Sequence, residues 1–450
     1  MKKVITYGTY DLLHQGHINL LTRAKQLGDY LIVGVTNDSF DRSRGKLNVR
    51  NNVLERVEAV KSTGLADQII IEDYMGQKID DILKYEVDVF AIGSDWEGKF
   101  DYLKEYCEVV YLPRTEGISS TMLRAESERV LKLGVSGCGR IAKRFVAETP
   151  FVDAVEVTAL YDLDKTKAQT YAADMGVEHV SESYEDLVDK VEAVYIATPH
   201  LEHYAQIKYA LEQGKHVLCE TPMVLEECKA EELYELAKQK GLVLLEANKT
   251  AFCPAFNHLI TLVKSGMIGD VVGIDASESK LWAKESLKRE LDPSRAGGSL
   301  YEMGSYPLLP IIKLLGIDYR NINIYSRMND NNVDVYTRGM MRYDSAVCSF
   351  QLGLGVKTEG NLVISGTKGY AYVPSPWWKT EYFELRYEDQ NQNKKYFYSW
   401  NEPGLRYEIQ EFVSCVINGR LVSPRLTPKE SICMARIMEQ FSNRQNFYEI

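Results

Sequence analysis

The chain has 450 residues, 45% of them apolar and 26% charged, the balance of a soluble globular protein and too much sequence for one ordinary domain. Its net charge of -11 argues against a nucleic-acid partner, because a phosphate backbone demands a basic face, but leaves small anionic substrates open to a local cluster of Lys and Arg. No apolar run approaches the ~20 residues that span a bilayer, the opening MKKVITYGTYDLL is not a signal peptide, and the eight scattered cysteines read as reduced thiols of a cytoplasmic protein.

The first element pattern is a strand, a glycine turn and a helix, in KKVITYGTYDLLHQGHINLLTRA. YLIVGVT, ADQIIIE, DVFAIGS and CEVVYLP follow as strand-like runs separated by helical segments, which predicts a parallel sheet with helices on its faces. TMLRAESE, ending near Glu128, reads as a polar helix with no Pro- or Gly-rich linker, so the parts it joins are expected to lie close.

The same opening recurs in VLKLGVSGCGRIAKRFV, from Val130 to Val146, which marks a second domain start. AVEVTALYDLD, EAVYIATP and KHVLCETP continue the alternation. From about Ala251 long alternating strands take over, among them GDVVGIDASESKLW, RNINIYSRM and AVCSFQLGLG, as expected of a mostly antiparallel sheet. The predicted class is α/β: two Rossmann-like parallel-sheet domains, residues 1–128 and 129–250, then an α/β domain with a large mostly antiparallel sheet, residues 251–450. Neither low-complexity segments nor short tandem repeats are present.

YGTYDLLHQGH leaves a strand and enters a helix, so its glycine turn exposes backbone N–H groups at a helix N-terminus, a setting suited to a triphosphate. His14 and His17 are three apart, on one face of the first turn, where both rings can point at the same phosphate. A phosphate monoester, with a second pKa of about 6, is already a nucleophile at neutral pH. The histidines are therefore expected to donate hydrogen bonds to the transition state rather than to remove a proton.

The string resembles the nucleotidyltransferase motif GTFDxxHxGH, and GSDWEGKFDYL (Gly93–Leu103) and YLPRTEGISSTMLR (Tyr111–Arg124) resemble two further signatures of the glycerol-3-phosphate cytidylyltransferase family. The resemblance implies that Gly8, Thr9, Tyr10, Asp11, His14, His17, Asp95, Trp96, Arg114, Ser119 and Thr121 meet CTP, with Lys46 near the reacting phosphates and Mg2+ arriving with the nucleotide. For Trp96 core packing stands as an alternative, and for Asp11 a turn or cap role. Arg56 matches the family pattern, whereas a second arginine expected a little later is Gly64, which leaves the acceptor open. No protein metal ligand is assigned.

In the second opening, Gly137-Cys-Gly139-Arg-Ile-Ala142 is a dinucleotide fingerprint with Ala in the last place. Asp162 ends the next strand, where a carboxylate binds the adenosine ribose and favours NADH, while nearby Lys165 keeps NADPH open. From here the chain resembles the Gfo/Idh/MocA oxidoreductases over roughly residues 131–450, in VYIATPHLEHY, VLCETP, LLEANKTAFCPAF, AGGSLYEMGSYPL and GTKGYAYV. That resemblance implies a cofactor site of Gly137, Gly139, Arg140, Ile141, Asp162, Thr198, Pro199 and Glu220, and a substrate between the Rossmann and open-sheet domains.

Two departures matter. The family's Glu-Lys-Pro is Glu220-Thr221-Pro222 here, and its Asp-x-Gly-x-His is Glu302-Met-Gly304-Ser-Tyr306. Reducing a ketone needs a hydride and a proton donor at the carbonyl oxygen. Tyr306 is the expected acid, with its pKa lowered by a nearby cation, and Lys249 the expected cation, a solvated loop lysine being its alternative. Glu302 and His203 read equally well as structural residues, and Cys138 and Cys219 as packing.

The expected function is bifunctional: cytidylyl transfer from CTP to a sugar or polyol phosphate, with pyrophosphate released, and reduction of a ketose carbonyl by NADH or NADPH. The product would be a CDP-linked polyol for teichoic-acid-like or capsular polymers. A homo-oligomer, dimer or tetramer, is expected, with neither nucleic acid nor membrane as partner. The alternative is a cytidylyltransferase whose dehydrogenase-like part serves only binding or dimerisation.

Overall fold

The computed structural model describes residues 1–37, 40–41, 49, 51, 53–74, 76–113, 130–281, 289–398 and 404–450, and these form two compact units, Met1–Val130 and Leu131–Ile450.

In the first unit, strands β1 (Lys3–Gly8), β2 (Tyr30–Thr36), β3 (Gln68–Glu72), β4 (Val89–Gly93) and β5 (Glu108–Leu112) form a parallel sheet in the order β3-β2-β1-β4-β5. Helices α1 (Gln15–Lys25), α2 (Val53–Ser62) and α3 (Gln77–Tyr85) connect them. Successive strand residues point to opposite faces, so Val4, Leu31 and Val33 enter one apolar cluster while Ile5, Ile32 and Phe90 enter the other. Burial on both faces is why these strands read as nearly continuous apolar runs. The strand order reverses between β1 and β4, and the crevice outside their carboxyl ends is where open α/β sheets bind ligands.

The second unit begins with another parallel sheet: β6 (Leu131–Ser136), β7 (Val155–Tyr161), β8 (His179–Val180), β9 (Ala193–Ile196), β10 (His216–Glu220) and β11 (Leu244–Ala247). Their order is β11-β10-β9-β6-β7-β8, which places the reversal between β6 and β9. Helices α4 (Arg140–Glu148), α5 (Lys165–Met175), α6 (Tyr184–Lys190), α7 (His200–Glu212) and α8 (Glu227–Lys240) alternate with these strands.

After α9 (Lys249–Phe252) and α10 (Pro254–Lys264) the chain builds a nine-stranded mixed sheet, in the order β19-β18-β17-β16-β12-β15-β14-β13-β20. Its strands run from β12 (Val271–Lys280) through β16 (Leu362–Gly366), β17 (Tyr370–Val373), β18 (Tyr382–Arg386) and β19 (Lys394–Phe397) to β20 (Phe447–Glu449), and most neighbours are antiparallel, β12–β15 and β13–β20 being parallel. β13 (Asn321–Met328) alternates buried and open residues, the period of a sheet covered on one face. Helices α11 (Ser299–Met303), α12 (Ser305–Leu315), α13 (Arg406–Ile417) and α14 (Pro428–Ser442) belong to this second unit, and α11 and α12 pack on β14 (Asp334–Arg342), β15 (Val347–Leu354) and β12.

Candidate active sites in the two units

In the first unit, β1 ends at Gly8, and the turn that follows is held tightly. A Cβ at Gly8 would stand 2.9 Å from the Tyr10 ring, so only glycine lets that ring fold back into the core. Tyr10 and Leu12 have φ of 55° and 46°, a left-handed conformation that costs a bulky residue about 1–3 kcal/mol. The surroundings determine this conformation. Fully buried Arg56 donates from Nη1 to the Thr9 carbonyl (2.7 Å) and from Nε to the Asn51 carbonyl (2.9 Å). Asp41, buried and 3.3 Å from Arg56, accepts from the Thr9 and Thr36 hydroxyls at 3.1 and 2.6 Å. Asp11 accepts from the Asn51 backbone N–H (3.0 Å), a contact that ties the turn to the segment before α2.

The turn delivers His14 to the N-cap of α1, where its Nδ1 accepts the Gly16 N–H at 3.1 Å. In the neutral ring that bond places the proton on Nε2, which becomes the nitrogen able to donate to an anion. His17 stacks on His14 with ring centroids 3.9 Å apart, and Tyr10 meets His17 edge-on at 5.5 Å. The two imidazoles thus form one pair at the start of an 11-residue helix, the end that attracts negative charge.

Across the sheet reversal, Asp95 and Trp96 occupy the short helical turn Ser94–Trp96 after β4. Trp96 is 51% exposed, which removes the core-packing alternative. Gly64, where the family pattern has arginine, follows α2 with φ of 66° and ends that helix in the left-handed conformation. Lys46, Arg114, Ser119 and Thr121 lie outside the described residues.

In the second unit, Gly137 (φ 92°) brings the first turn against the loop after β9, where a Cβ would sit 2.7 Å from the Ala197 carbonyl. Gly139, N-cap of α4, has no atom of the described residues within 4 Å of the place a Cβ would fill. Open space there, beside Arg140 and Ile141 at the start of a nine-residue helix, fits the pyrophosphate of a dinucleotide. Asp162 accepts from the N–H groups of Cys138 (2.7 Å) and Asp164 (3.0 Å) and from Lys167 (2.9 Å). Burial opposes its charge, but these donors hold its carboxyl below the usual range. The lysine beside Asp162 is therefore Lys167, and not Lys165 as expected, because Lys165 turns to Glu182 at 2.5–2.7 Å.

His203 is fully buried between the Pro222 carbonyl (3.0 Å from Nδ1) and the Thr198 carbonyl (2.9 Å from Nε2), and its one N–H donates to one or the other, between the loop after β9, with Thr198 and Pro199, and the turn after β10. Burial, and next His200, push it down to about 4, so it stays neutral. Burial raises the Cys138 thiol to about 11 and the Cys219 thiol well above its ordinary value, which suits packing and not nucleophilic chemistry.

Glu220 ends β10 and accepts from the phenol of Tyr195, which is buried and stacked on Phe145. Thr221, in place of the family's lysine, donates to buried Glu246 at 2.7 Å. The cation instead comes from α9: Lys249 Nζ lies 5.9 Å from the centroid of the Tyr306 ring, an element further along the chain. Lys249 is held below its usual pKa by burial, and Glu278 and Glu408 act against that.

The expected lowering of the Tyr306 pKa is not what the structure gives. Its phenol is pushed well above its ordinary value, first by burial and then by the carboxylates of Glu220, Glu278, Glu408 and Glu246. Lysine lies over the ring face, while the negative charges surround the site. The phenol is therefore firmly protonated, which is the state an acid must start from. Burial raises Glu220 to about 7 and Glu278 to about 6.

Glu302 accepts from Arg289 (2.7 Å) and is 3.1 Å from His200. Burial opposes its charge, but His200 and then Arg289 hold it below the usual range. Sequence reasoning passed over Glu278, Glu408, Arg289 and His200. A buried carboxylate next to the glutamate of Glu-Thr-Pro has no local signature, although His200 stands within the quoted VYIATPHLEHY.

Residues 5–126 match the cytidylyltransferase-like family, 131–248 the oxidoreductase family with an NAD-binding Rossmann fold, and 256–372 the GFO/IDH/MocA C-terminal domain. Over 126 residues the chain is 53% identical to glycerol-3-phosphate cytidylyltransferase of Bacillus subtilis, covering 28% of this chain and 97% of that one. Over 318 residues it is 30% identical to trans-1,2-dihydrobenzene-1,2-diol dehydrogenase of Oryctolagus cuniculus, covering 68% and 96%. The fold is shared with a 3-ketoreductase from Actinomadura kijaniata solved with NADP and TDP-benzene, at a TM-score of 0.64 and 23% identity over 72% of this chain and 99% of the other. Among the described residues no helix is long and apolar enough to cross a membrane. The chain thus belongs to the cytidylyltransferase-like family through its first unit and to the GFO/IDH/MocA oxidoreductase family through its second, a cytidylyltransferase and an NAD(P)-binding oxidoreductase in one polypeptide.

Proposed function

We propose that the chain makes a CDP-linked polyol. Its first unit transfers the cytidylyl group of Mg-CTP to a sugar or polyol phosphate, and its second reduces a ketose carbonyl on the same carbon skeleton. The observation that carries this reading is the conjunction of sites: a stacked histidine pair at a helix N-terminus in one unit, and a protonated tyrosine beside a lysine in the other. The relatives support it, since one is named for glycerol 3-phosphate and the other for a diol.

In the transferase, the acceptor's phosphate attacks the α-phosphorus and pyrophosphate leaves. His14 donates from Nε2, and His17 shares its orientation, so both neutralise charge that grows on the phosphates. Lys46, Arg114, Ser119 and Thr121 are proposed as the further phosphate contacts, with Gly8, Thr9, Tyr10 and Asp11 shaping the turn and Asp95 and Trp96 beside the nucleoside. The Arg56–Asp41 clamp holds the turn in its left-handed conformation before substrate arrives.

In the reductase, NADH or NADPH supplies the hydride when bound. Gly137, Gly139, Arg140 and Ile141 would receive its pyrophosphate, Asp162 its ribose, and Thr198, Pro199 and Glu220 would line its path. Tyr306 gives its phenolic proton to the carbonyl oxygen, and Lys249 steadies the phenolate left behind. Lys280 and Lys379 both act electrostatically on Lys249, a local positive group suited to a phosphate-bearing ketose in an acidic protein. The product would feed a cell-surface polymer made from the cytoplasmic side, and a homo-oligomer is the proposed assembly.

The test is to incubate the protein with Mg-CTP, NADH or NADPH and a panel of ketose and polyol phosphates, following nicotinamide absorbance and product mass. A CDP-alditol appearing only when CTP and nicotinamide are both present is the expected result. If no ketose, free or CDP-linked, oxidises the nicotinamide, the second unit is a binding or dimerisation module and the reductase reading fails.

A further inference from the structure

The proposed reaction leaves one buried charged group without a task. Glu408 stands in the first turn of α13, is fully buried, and among the described residues has no hydrogen-bond partner at either carboxyl oxygen. An ionised carboxylate is among the least favourable groups to bury alone, whereas a neutral carboxyl is only another polar group. Arg406, two residues before it, is committed to Glu148 at 2.7 and 2.8 Å. The charges acting on Glu408 are Glu220 at the end of β10 and Lys249 of α9. Around these stand Tyr195 of β9, Glu246 of β11, Glu278 and Lys280 of β12, Lys379, and Tyr306 of α12.

Glu220 and Glu408 repel each other beside a single close lysine, and the pair titrates as a unit. Glu220 has a donor, the Tyr195 hydroxyl, and Glu408 has none. The first negative charge of the pair therefore settles on Glu220, and the proton stays on Glu408.

We infer that Glu408 is the proton store of the reductase site, a neutral carboxyl group that reloads Tyr306 after each turnover. It is a positioning residue for protons, touching neither substrate nor cofactor, and the inference rests on the ketose-reduction reading. In the forward step the Tyr306 O–H bond breaks and the O–H bond of the product alcohol forms, while the reduced nicotinamide supplies the hydride to carbon. In the reloading step the Glu408 O–H bond breaks and the Tyr306 O–H bond re-forms. A carboxyl group is the stronger acid of the two, so the transfer runs downhill, and Lys249 faces the carboxylate it leaves. Water protonates Glu408 again once product has gone. Burial, and next Glu220, push the Glu408 carboxyl well above the carboxylate range, so the store is filled at neutral pH.

The experiment uses the full chain and Glu408→Gln. At pH 7 the infrared spectrum of the wild type should contain the carbonyl stretch of protonated carboxylic acids, and in the variant that band should be weaker by one group. That measurement needs no substrate, so it stands or falls separately from the ketose reading. With a ketose accepted in the panel above, the first hydride transfer in the variant should stay within about twofold of wild type, because Tyr306 starts protonated. Multiple turnover should slow by about tenfold or more with KM little changed. The wild-type kcat should fall as pH rises and Glu408 ionises, and the variant's should be low and flat. An unchanged infrared band, or first and later turnovers slowed alike, overturns the inference. If Glu408→Gln fails to fold, Glu408→Met, equally neutral and without an O–H group, carries the same expectations.

Discussion

The two candidate sites solve opposite electrostatic problems. The first receives a substrate that brings its own negative charge, and its interior charges are already paired: Arg56 with Asp41, and Asp41 with the Thr9 and Thr36 hydroxyls. What faces outward is a helix N-terminus and two imidazoles. The second, in the proposed ketose reduction, must supply a proton at neutral pH, and it concentrates carboxyl groups that burial raises, Glu220 to about 7 and Glu278 to about 6. A site for phosphates is rigid and satisfied, whereas a site for protons holds groups poised to change charge. The difference follows from what each reaction moves.

The sharpest way to break this comparison is to remove one acid and one donor in turn. Tyr306→Phe should lower ketose reduction by roughly 10²–10⁴-fold in kcat while pyrophosphate release from CTP stays within about twofold, read in parallel coupled assays. His17→Ala should do the reverse, with a loss of roughly 10²–10³-fold in pyrophosphate release. Equal loss of both activities in either variant would show one coupled site in place of two.

Arg56→Met tests the satisfied interior of the first unit. It leaves Asp41 buried without its cation and should destabilise that unit by about 3–5 kcal/mol. Calorimetry should show one transition moving down and the other unmoved. A shift of both transitions would show that the clamp serves the whole chain.

The pH dependence of stability separates the units further. Glu220, Glu278 and Asp334 have folded pKa values of about 7, 6 and 6, above their unfolded values. Their contribution is fully present below about pH 4 and is lost as pH rises through 6–7. Asp162 and Glu302, held low, act oppositely and weaken the fold as pH falls below the ordinary carboxylate range. The melting temperature of the second unit should therefore decline between pH 5 and pH 8, and Glu220→Gln should flatten that decline. A curve unaltered by the substitution would remove Glu220 from the titrating pair.

The smallest expected effect concerns the cofactor. Lys167 neutralises Asp162, which otherwise repels the extra phosphate of NADPH. Lys167→Ala should shift the ratio of kcat/KM toward NADH by about fivefold, measured with both cofactors. An unchanged ratio would place the determinant elsewhere.

Much of both sites was legible in the sequence, and the reasons are local. GTYDLLHQGH encodes a strand end, a glycine turn and a helix start within ten residues, so the His14–His17 geometry follows from spacing alone. Gly137-Cys-Gly139 and Asp162 lie within one strand–helix–strand unit, and their placement together follows from that unit's shape. Lys167 was missed in favour of Lys165 because rotamer and partner, here Glu182, decide which of two neighbouring lysines turns inward.

By itself, then, the sequence determined where each sheet opens, which glycines free the backbone and which helix begins under which histidine, because those depend on residues a few positions apart. Tertiary structure decided the charge states. Arg56 and Asp41 meet from separate segments, and Glu220, Lys249, Glu278, Tyr306 and Glu408 gather from five elements of the second unit. A carboxyl group keeps or loses its proton according to the water and charge around it, and that environment exists only once those elements have packed.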